Sequence, residues 1–148
     1  MTTRKSAAGT GRRGRVKTPL ILVVDDYADN REMYSAYLRF QGLEVVEAAN
    51  GTEALDHAFQ RKPDLVVMDL SLPGVDGWQA TRMLKADERT KDVPVIAVTG
   101  HALAGAPERA AEAGCDGFLT KPCLPEDLLR EIQRMLERGR DGDNAKRR

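Results

Sequence analysis

"DLVVMDLSLPGVDGW", residues 64–78, runs four apolar residues, Leu65, Val66, Val67 and Met68, directly into an acid, Asp69, and then into a loop bracketed by Gly74 and Gly77. A short apolar run rich in valine, preceded by Pro63, reads as a strand buried on both faces. Such a strand needs no carboxylate at its tip. Asp69 is either an exit into solvent or the group the strand exists to hold.

The neighbouring segments repeat the pattern. "LILVVDD" (20–26), "LEVVEA" (43–48), "VPVIAVTG" (93–100) and "GFLTK" (117–121) read as four more strands. Between them lie helical spacings. Met33, Ala36, Tyr37 and Phe40 form one stripe, which Gly42 closes, and Asn50 caps a helix carrying Ala54, Leu55, Ala58 and Phe59. A third helix is expected over 77–88, and a fourth between Pro107 and Gly114. The fifth carries Leu128, Leu129, Ile132, Met135 and Leu136 on one face. Strict strand–helix alternation with short connections predicts an α/β fold, a doubly wound five-stranded parallel sheet with five helices. In such sheets the site lies at the carboxyl ends of the strands.

Those ends carry Asp25-Asp26, Asp69, Thr99-Gly100 and Lys121-Pro122. Singly, each has an ordinary explanation: an acid at a strand end caps a helix or forms a turn, a threonine closes a turn, and a lysine faces solvent. Together they place three carboxylates, a hydroxyl and an ammonium in one crevice. Clustered carboxylates repel, and a hard cation with oxygen ligands, Mg²⁺, relieves the repulsion. Its charge draws in phosphate, for which Lys121 and Thr99 are a cation and a donor. Asp69 is then a candidate nucleophile for an aspartyl-phosphate.

The chain has 148 residues, 41% of them apolar, which suits one domain with its own core. No apolar run is long enough to cross a bilayer, so no membrane partner is expected. Two cysteines, Cys115 and Cys123, are too few for a disulfide framework and lack a metal-site pattern, which fits a reducing cytoplasm. Net charge is zero, but residues 1–17 carry six Lys/Arg and no acid, and residues 138–148 carry five against two acids. The centre holds 12 basic and 21 acidic residues, a net of −9. The simplest partition is a basic disordered tail (1–17), a folded domain (18–138) and a polar basic tail (139–148). Nucleic acid is the secondary partner class for the tails; they lack the aromatic interleaving that would favour it.

The pieces "LVVDD", "VVMDLSLPGVDGW", "VIAVTGHA" and "AGCDGFLTKP" together resemble the receiver domain of two-component response regulators, over about residues 18–138. The style of "TGHALAGAPERAAEAGCDGFLTKP" is nearest to receivers of hybrid kinases and phosphorelays. The resemblance implies a flavodoxin-like strand order 2-1-3-4-5. It implies Asp69 as phosphoacceptor, Asp25, Asp26 and the Ser71 main-chain carbonyl as Mg²⁺ ligands beside Asp69, Thr99 and Lys121 as the phosphate-binding pair, and Phe118 as an aromatic switch. It implies a cis Lys121-Pro122 bond. The partners it implies are a sensor histidine kinase or phosphotransfer protein and a downstream protein target not named by the sequence. A stand-alone regulator is expected, working by binding or by passing the phosphoryl group on, with no catalysis beyond self-phosphorylation and autodephosphorylation. A receiver segment of a larger hybrid kinase or regulator is the alternative.

Departures from the pattern are Tyr27 after the acid pair, Ser71 and His101 flanking the site, and Phe rather than Tyr at 118. His57 and Cys123 read as surface groups, Cys115 as a packed small residue and Trp78 as a packing anchor. A phosphatase would want a second acid where Ser71 stands. A flavodoxin-like cofactor binder would want a hydroxyl-rich loop where Asp25-Asp26 would repel phosphate.

Overall fold

Five strands form one parallel sheet in the order β2-β1-β3-β4-β5. They are β1 (Leu20–Val24), β2 (Glu44–Ala48), β3 (Leu65–Asp69), β4 (Val95–Thr99) and β5 (Gly117–Thr120). The helices are α1 (Ala28–Phe40), α2 (Gly51–Arg61), α3 (Gly77–Ala86), α4 (Ala106–Ala113) and α5 (Pro125–Arg147), in strict alternation with the strands. The computed structural model describes residues 17–70, 76–100 and 105–147, with side chains as far as residue 139. Ser71, Gly74, His101 and residues 1–16 of the basic tail lie outside the described residues.

Strand alternation divides the core in two. Leu20, Leu22 and Val24 of β1, Val66 and Met68 of β3, and Val95 and Ala97 of β4 pack against Ala54, Ala58, Ala80, Leu84 and Ala110 on one side. Ile21, Val23, Leu65, Val67, Ile96 and Val98 meet Tyr34, Leu38, Leu128, Ile132 and Met135 on the other. All five positions of β1, β3 and β4 are buried, as a parallel sheet covered by helices on both faces requires. Each large side chain wholly buried here contributes about 1.5–3 kcal/mol relative to exposure.

Acids fix the lower edge of the sheet. Asp64 Oδ2 accepts from Leu20 N at 2.7 Å and ties β3 to the start of β1. Asp116 Oδ2 accepts from Val95 N at 2.8 Å and from Lys85 Nζ at 2.9 Å, and so holds β5, β4 and α3 together. Asn50 Oδ1 caps α2 by accepting from Glu53 N at 2.9 Å, and Asp76 Oδ1 caps α3 by accepting from Gln79 N at 2.8 Å.

The α1 stripe read from the sequence is displaced. Met33 (44% exposed) and Phe40 (86%) face solvent, and the buried residues are Tyr34, Ser35 and Leu38. Both sets recur at helical spacing, so periodicity alone does not choose between them. The choice falls to Tyr34, whose ring is buried while its hydroxyl donates to Cys123 O at 2.9 Å. That bond orients α1 with Tyr34 and Leu38 inward. The polar end, expected as a tail from 139, continues as backbone helix through Arg147.

Candidate functional site

The carboxyl ends of β1, β3, β4 and β5 bring Asp25, Asp26, Asp69, Thr99 and Lys121 together. Asp25, Asp69 and Thr99 are at most 5% exposed, and Asp26 is exposed. Carboxylate oxygens of Asp25, Asp26 and Asp69 all lie within 4.8 Å of one another. Lys121 Nζ donates to Asp25 Oδ2 at 2.8 Å and reaches Asp69 Oδ2 at 3.4 Å. Burial pulls the Lys121 ammonium down, but its hydrogen bond to Asp25 and the charge of Asp69 together outweigh this and hold it above the usual lysine range.

Each group is placed by main chain. Asp25 N donates to Ala48 O at 3.1 Å, and Asp25 Oδ1 accepts from Tyr27 N at 2.9 Å. Arg31 Nη1 donates to the Asp25 carbonyl at 2.8 Å. Asp69 is the last residue of β3, in register with Val98. Thr99 ends β4 in register with Thr120, and its carbonyl accepts from Lys121 N at 2.8 Å. The Lys121-Pro122 peptide is cis, as the resemblance implies. Tyr34 holds the next residue through the Cys123 carbonyl.

Gly77 plays a part the sequence reading did not give it. A Cβ there would lie 2.1 Å from Asp69 O and 2.6 Å from Leu70 Cα. The first residue of α3 therefore rests on the main chain of Asp69, and only glycine permits that approach. One glycine among 13 gives no sequence signal of this contact. Arg31 and Tyr34 escape the sequence reading for a related reason: each acts on a main-chain carbonyl, Arg31 on that of Asp25 and Tyr34 on that of Cys123, 89 residues away.

Phe118 is half-buried against the core beside α2, α3 and α4, in register with Ala97. By alternation along β4, Thr99 points to the same side as Ala97, so Thr99 and Phe118 share the α4 side of the sheet. A shallow cleft of about 200 Å³ lies beside the Phe118 ring, between Pro107 and Ala110 of α4 and Cys115. Trp78 packs partly buried against the same core, and the Arg109 guanidinium lies 4.6 Å from its ring centre. Cys115 and Cys123 are free thiols; burial pushes the Cys115 thiol up to about 11, so it is not a nucleophile near neutral pH. No described helix is long and apolar enough to cross a membrane.

The arrangement resembles that of proteins already known. The family model of the response regulator receiver domain matches residues 21–133. The polar-differentiation response regulator DivK of Brucella anthropi is 38% identical over 116 residues, which are 78% of this chain and 94% of that protein. The phosphate regulon transcriptional regulatory protein PhoB of Pseudomonas aeruginosa is 39% identical over 84% of this chain, but over only 54% of its own length. Among solved structures, a CheY-like receiver domain protein from Methanospirillum hungatei superposes with TM-score 0.79 at 29% identity, covering 85% of this chain and 99% of that one. The receiver domain of a Pseudomonas aeruginosa sensor histidine kinase, solved with a magnesium ion coordinated in its active site cleft, superposes with TM-score 0.75 at 36% identity, covering 82% of this chain and 99% of that one. With a match spanning most of the chain and the acidic crevice at the carboxyl ends of a 2-1-3-4-5 sheet, this protein belongs to the response regulator receiver family.

Proposed function

We propose that Asp69 is the phosphoacceptor, that Asp25, Asp26, Asp69 and the Ser71 carbonyl hold Mg²⁺, and that the donor is a sensor histidine kinase or phosphotransfer protein. The observation that carries this is the single crevice in which three carboxylates face one ammonium. Its donor set is all oxygen and includes an exposed carboxylate with access to water, which suits Mg²⁺. The magnesium coordinated in the cleft of the related histidine kinase receiver supports the same reading. When bound, the ion supplies charge that offsets both the clustered carboxylates and the incoming phosphoryl oxygens.

The chain's own residues do the rest. β3 presents the Asp69 carboxylate at a fixed position, with its main chain backed by Gly77. Lys121, held cationic by its two acids, can move from Asp25 to a phosphoryl oxygen over a short distance. With acetyl phosphate as donor, the phosphorus–oxygen bond to acetate breaks, a bond to an Asp69 carboxylate oxygen forms, and acetate leaves with the electron pair. Thr99 donates its hydroxyl to the bound phosphoryl group. Phe118 turns into the space vacated on that side, and α4 shifts. α4 suits this role because it is anchored by small side chains, Ala106, Ala110 and Ala113. The free thiols fit a reducing cytoplasm, and catalysis is confined to the domain's own phosphorylation and dephosphorylation.

The test is incubation with Mg²⁺ and acetyl phosphate, reductive trapping of the adduct and mass spectrometry. One phosphoryl group on Asp69, absent without Mg²⁺, is expected. An adduct of equal yield in Asp69→Asn would defeat the assignment.

A further inference from the structure

Arg31 belongs to no apolar stripe and to none of the groups that would touch phosphate, yet it joins the acid pair to the edge of the sheet. While Nη1 donates to the Asp25 carbonyl at 2.8 Å, Nε donates to Glu47 Oε1 at 3.1 Å. Glu47 lies on β2, the edge strand, in register with Val23. Its other oxygen, Oε2, accepts from Arg39 Nη1 at 3.4 Å, and Arg39 Nη2 donates to Val45 O at 3.1 Å. Arg31 is the better shielded of the two arginines: its side chain is 17% exposed, against 51% for Arg39.

The target of Arg31 matters more than the ion pair. β1 pairs with both neighbours as far as Val24, and beyond it the ladders end. The Asp25 N–H still finds Ala48 O, whereas the Asp25 carbonyl is taken by Arg31. That carbonyl belongs to the peptide joining Asp25 to Asp26, so the guanidinium fixes the plane from which Asp26 departs. The Asp26 carboxylate is exposed and takes no hydrogen bond from the described residues, so none of them orients it at its own end. A rigid planar fork that grips a carbonyl and a carboxylate at once is something arginine supplies and lysine does not.

We infer that Arg31 is a positioning residue for the metal-facing carboxylate of Asp26, acting through the Asp25–Asp26 peptide. The inference rests on the metal-assisted reading above. Outer partners of metal ligands commonly change metal affinity when removed. Arg39 provides the control, because it shares Glu47 but does not touch Asp25.

The experiment uses the full chain and three measurements on wild type, Arg31→Gln and Arg39→Gln. They are Mg²⁺ affinity from an amide-shift titration, amide exchange at Asp26 and Tyr27 in metal-free protein, and the urea midpoint. Arg31→Gln is expected to bind Mg²⁺ about tenfold more weakly and to exchange faster at Tyr27, whose N–H donates to Asp25 Oδ1. Arg39→Gln should keep wild-type affinity and exchange, with a midpoint similar to that of Arg31→Gln. Wild-type affinity in Arg31→Gln, or equal loss in both variants, would overturn the inference while leaving the metal reading intact. No Mg²⁺ binding by wild type would overturn both. Should Arg31→Gln not fold, Arg31→Lys takes its place with about a threefold loss expected, and unchanged affinity there counts against the role.

Discussion

Gly77→Ala sets two forces against each other at the phosphoacceptor. Alanine is the better helix former by about 1 kcal/mol, and Gly77 opens α3 without needing a left-handed backbone. On propensity alone the variant should be more stable. The new Cβ, however, would sit 2.1 Å from Asp69 O, 2.6 Å from Leu70 Cα and 2.9 Å from Asp69 C. All three are main-chain atoms, so no side chain can swing away, and carbon contacts are comfortable only near about 3.5–4.0 Å. Either α3 or the exit of β3 must shift by about 1 Å. Overpacking of this kind costs about 1–3 kcal/mol, which leaves net destabilisation of up to about 2 kcal/mol after the propensity gain is deducted. Urea denaturation measures it directly. Because the shift falls on Asp69, its rate of labelling by acetyl phosphate should drop about tenfold or more, as a misplacement of about 1 Å at a reacting group does. A Gly77→Ala protein as stable as wild type and labelled at the wild-type rate would refute the steric reasoning.

Four further outcomes are expected. Asp26→Asn removes one of three clustered carboxylates, so in EDTA its urea midpoint should match or exceed that of wild type, while its Mg²⁺ affinity falls; a lower midpoint in EDTA would contradict the repulsion. Lys121→Ala leaves Asp25 and Asp69 buried without their ammonium, and should be destabilised by about 3–5 kcal/mol in metal-free buffer, with Mg²⁺ restoring part of the loss in a thermal melt. Ser35 Oγ is fully buried with no hydrogen-bond partner among the described residues, so Ser35→Ala should be neutral or stabilising by about 1 kcal/mol, and a clear loss on urea denaturation would reveal a partner. Cys115, ordinarily at 9.0 and pushed up to about 11 by burial, keeps its proton in the folded state while the unfolded thiol ionises. Its contribution to stability is complete below pH 9 and falls as pH rises towards 11; denaturation across that window should show a shallower decline in Cys115→Ala.

The sheet was legible because its signals are local. Apolar runs such as Leu65–Met68, cut by Pro63 and closed by an acid, can be little else than buried strands, and alternation with helices forces parallel pairing. The residues at the strand tips were legible for the same reason, since the end of a run is visible in the run itself. The orientation of α1 was not. Met33 and Phe40 are as apolar as Tyr34 and Leu38, and the decision lies with a bond from Tyr34 to a carbonyl 89 residues away. Gly77 reads from the sequence as a loop bracket because its function is the absence of a side chain beside Asp69, which leaves no trace in a pattern of apolar and polar positions.

The same distinction explains how a crevice with too much negative charge can be rigid. Three carboxylates share one ammonium, and Lys121 is divided between two of them. Side-chain attraction alone would let the acids spread apart. The restraint comes instead from main chain: Asp25 N on Ala48 O, the Asp25 carbonyl under Arg31, Lys121 N on Thr99 O, and Gly77 against Asp69 O. These contacts carry no net charge into the crevice except at Arg31, whose guanidinium also faces Glu47. The acids are therefore held close with Lys121 offsetting only part of their charge, and excess negative charge held at fixed positions is what gives an arriving cation a difference in free energy to act upon.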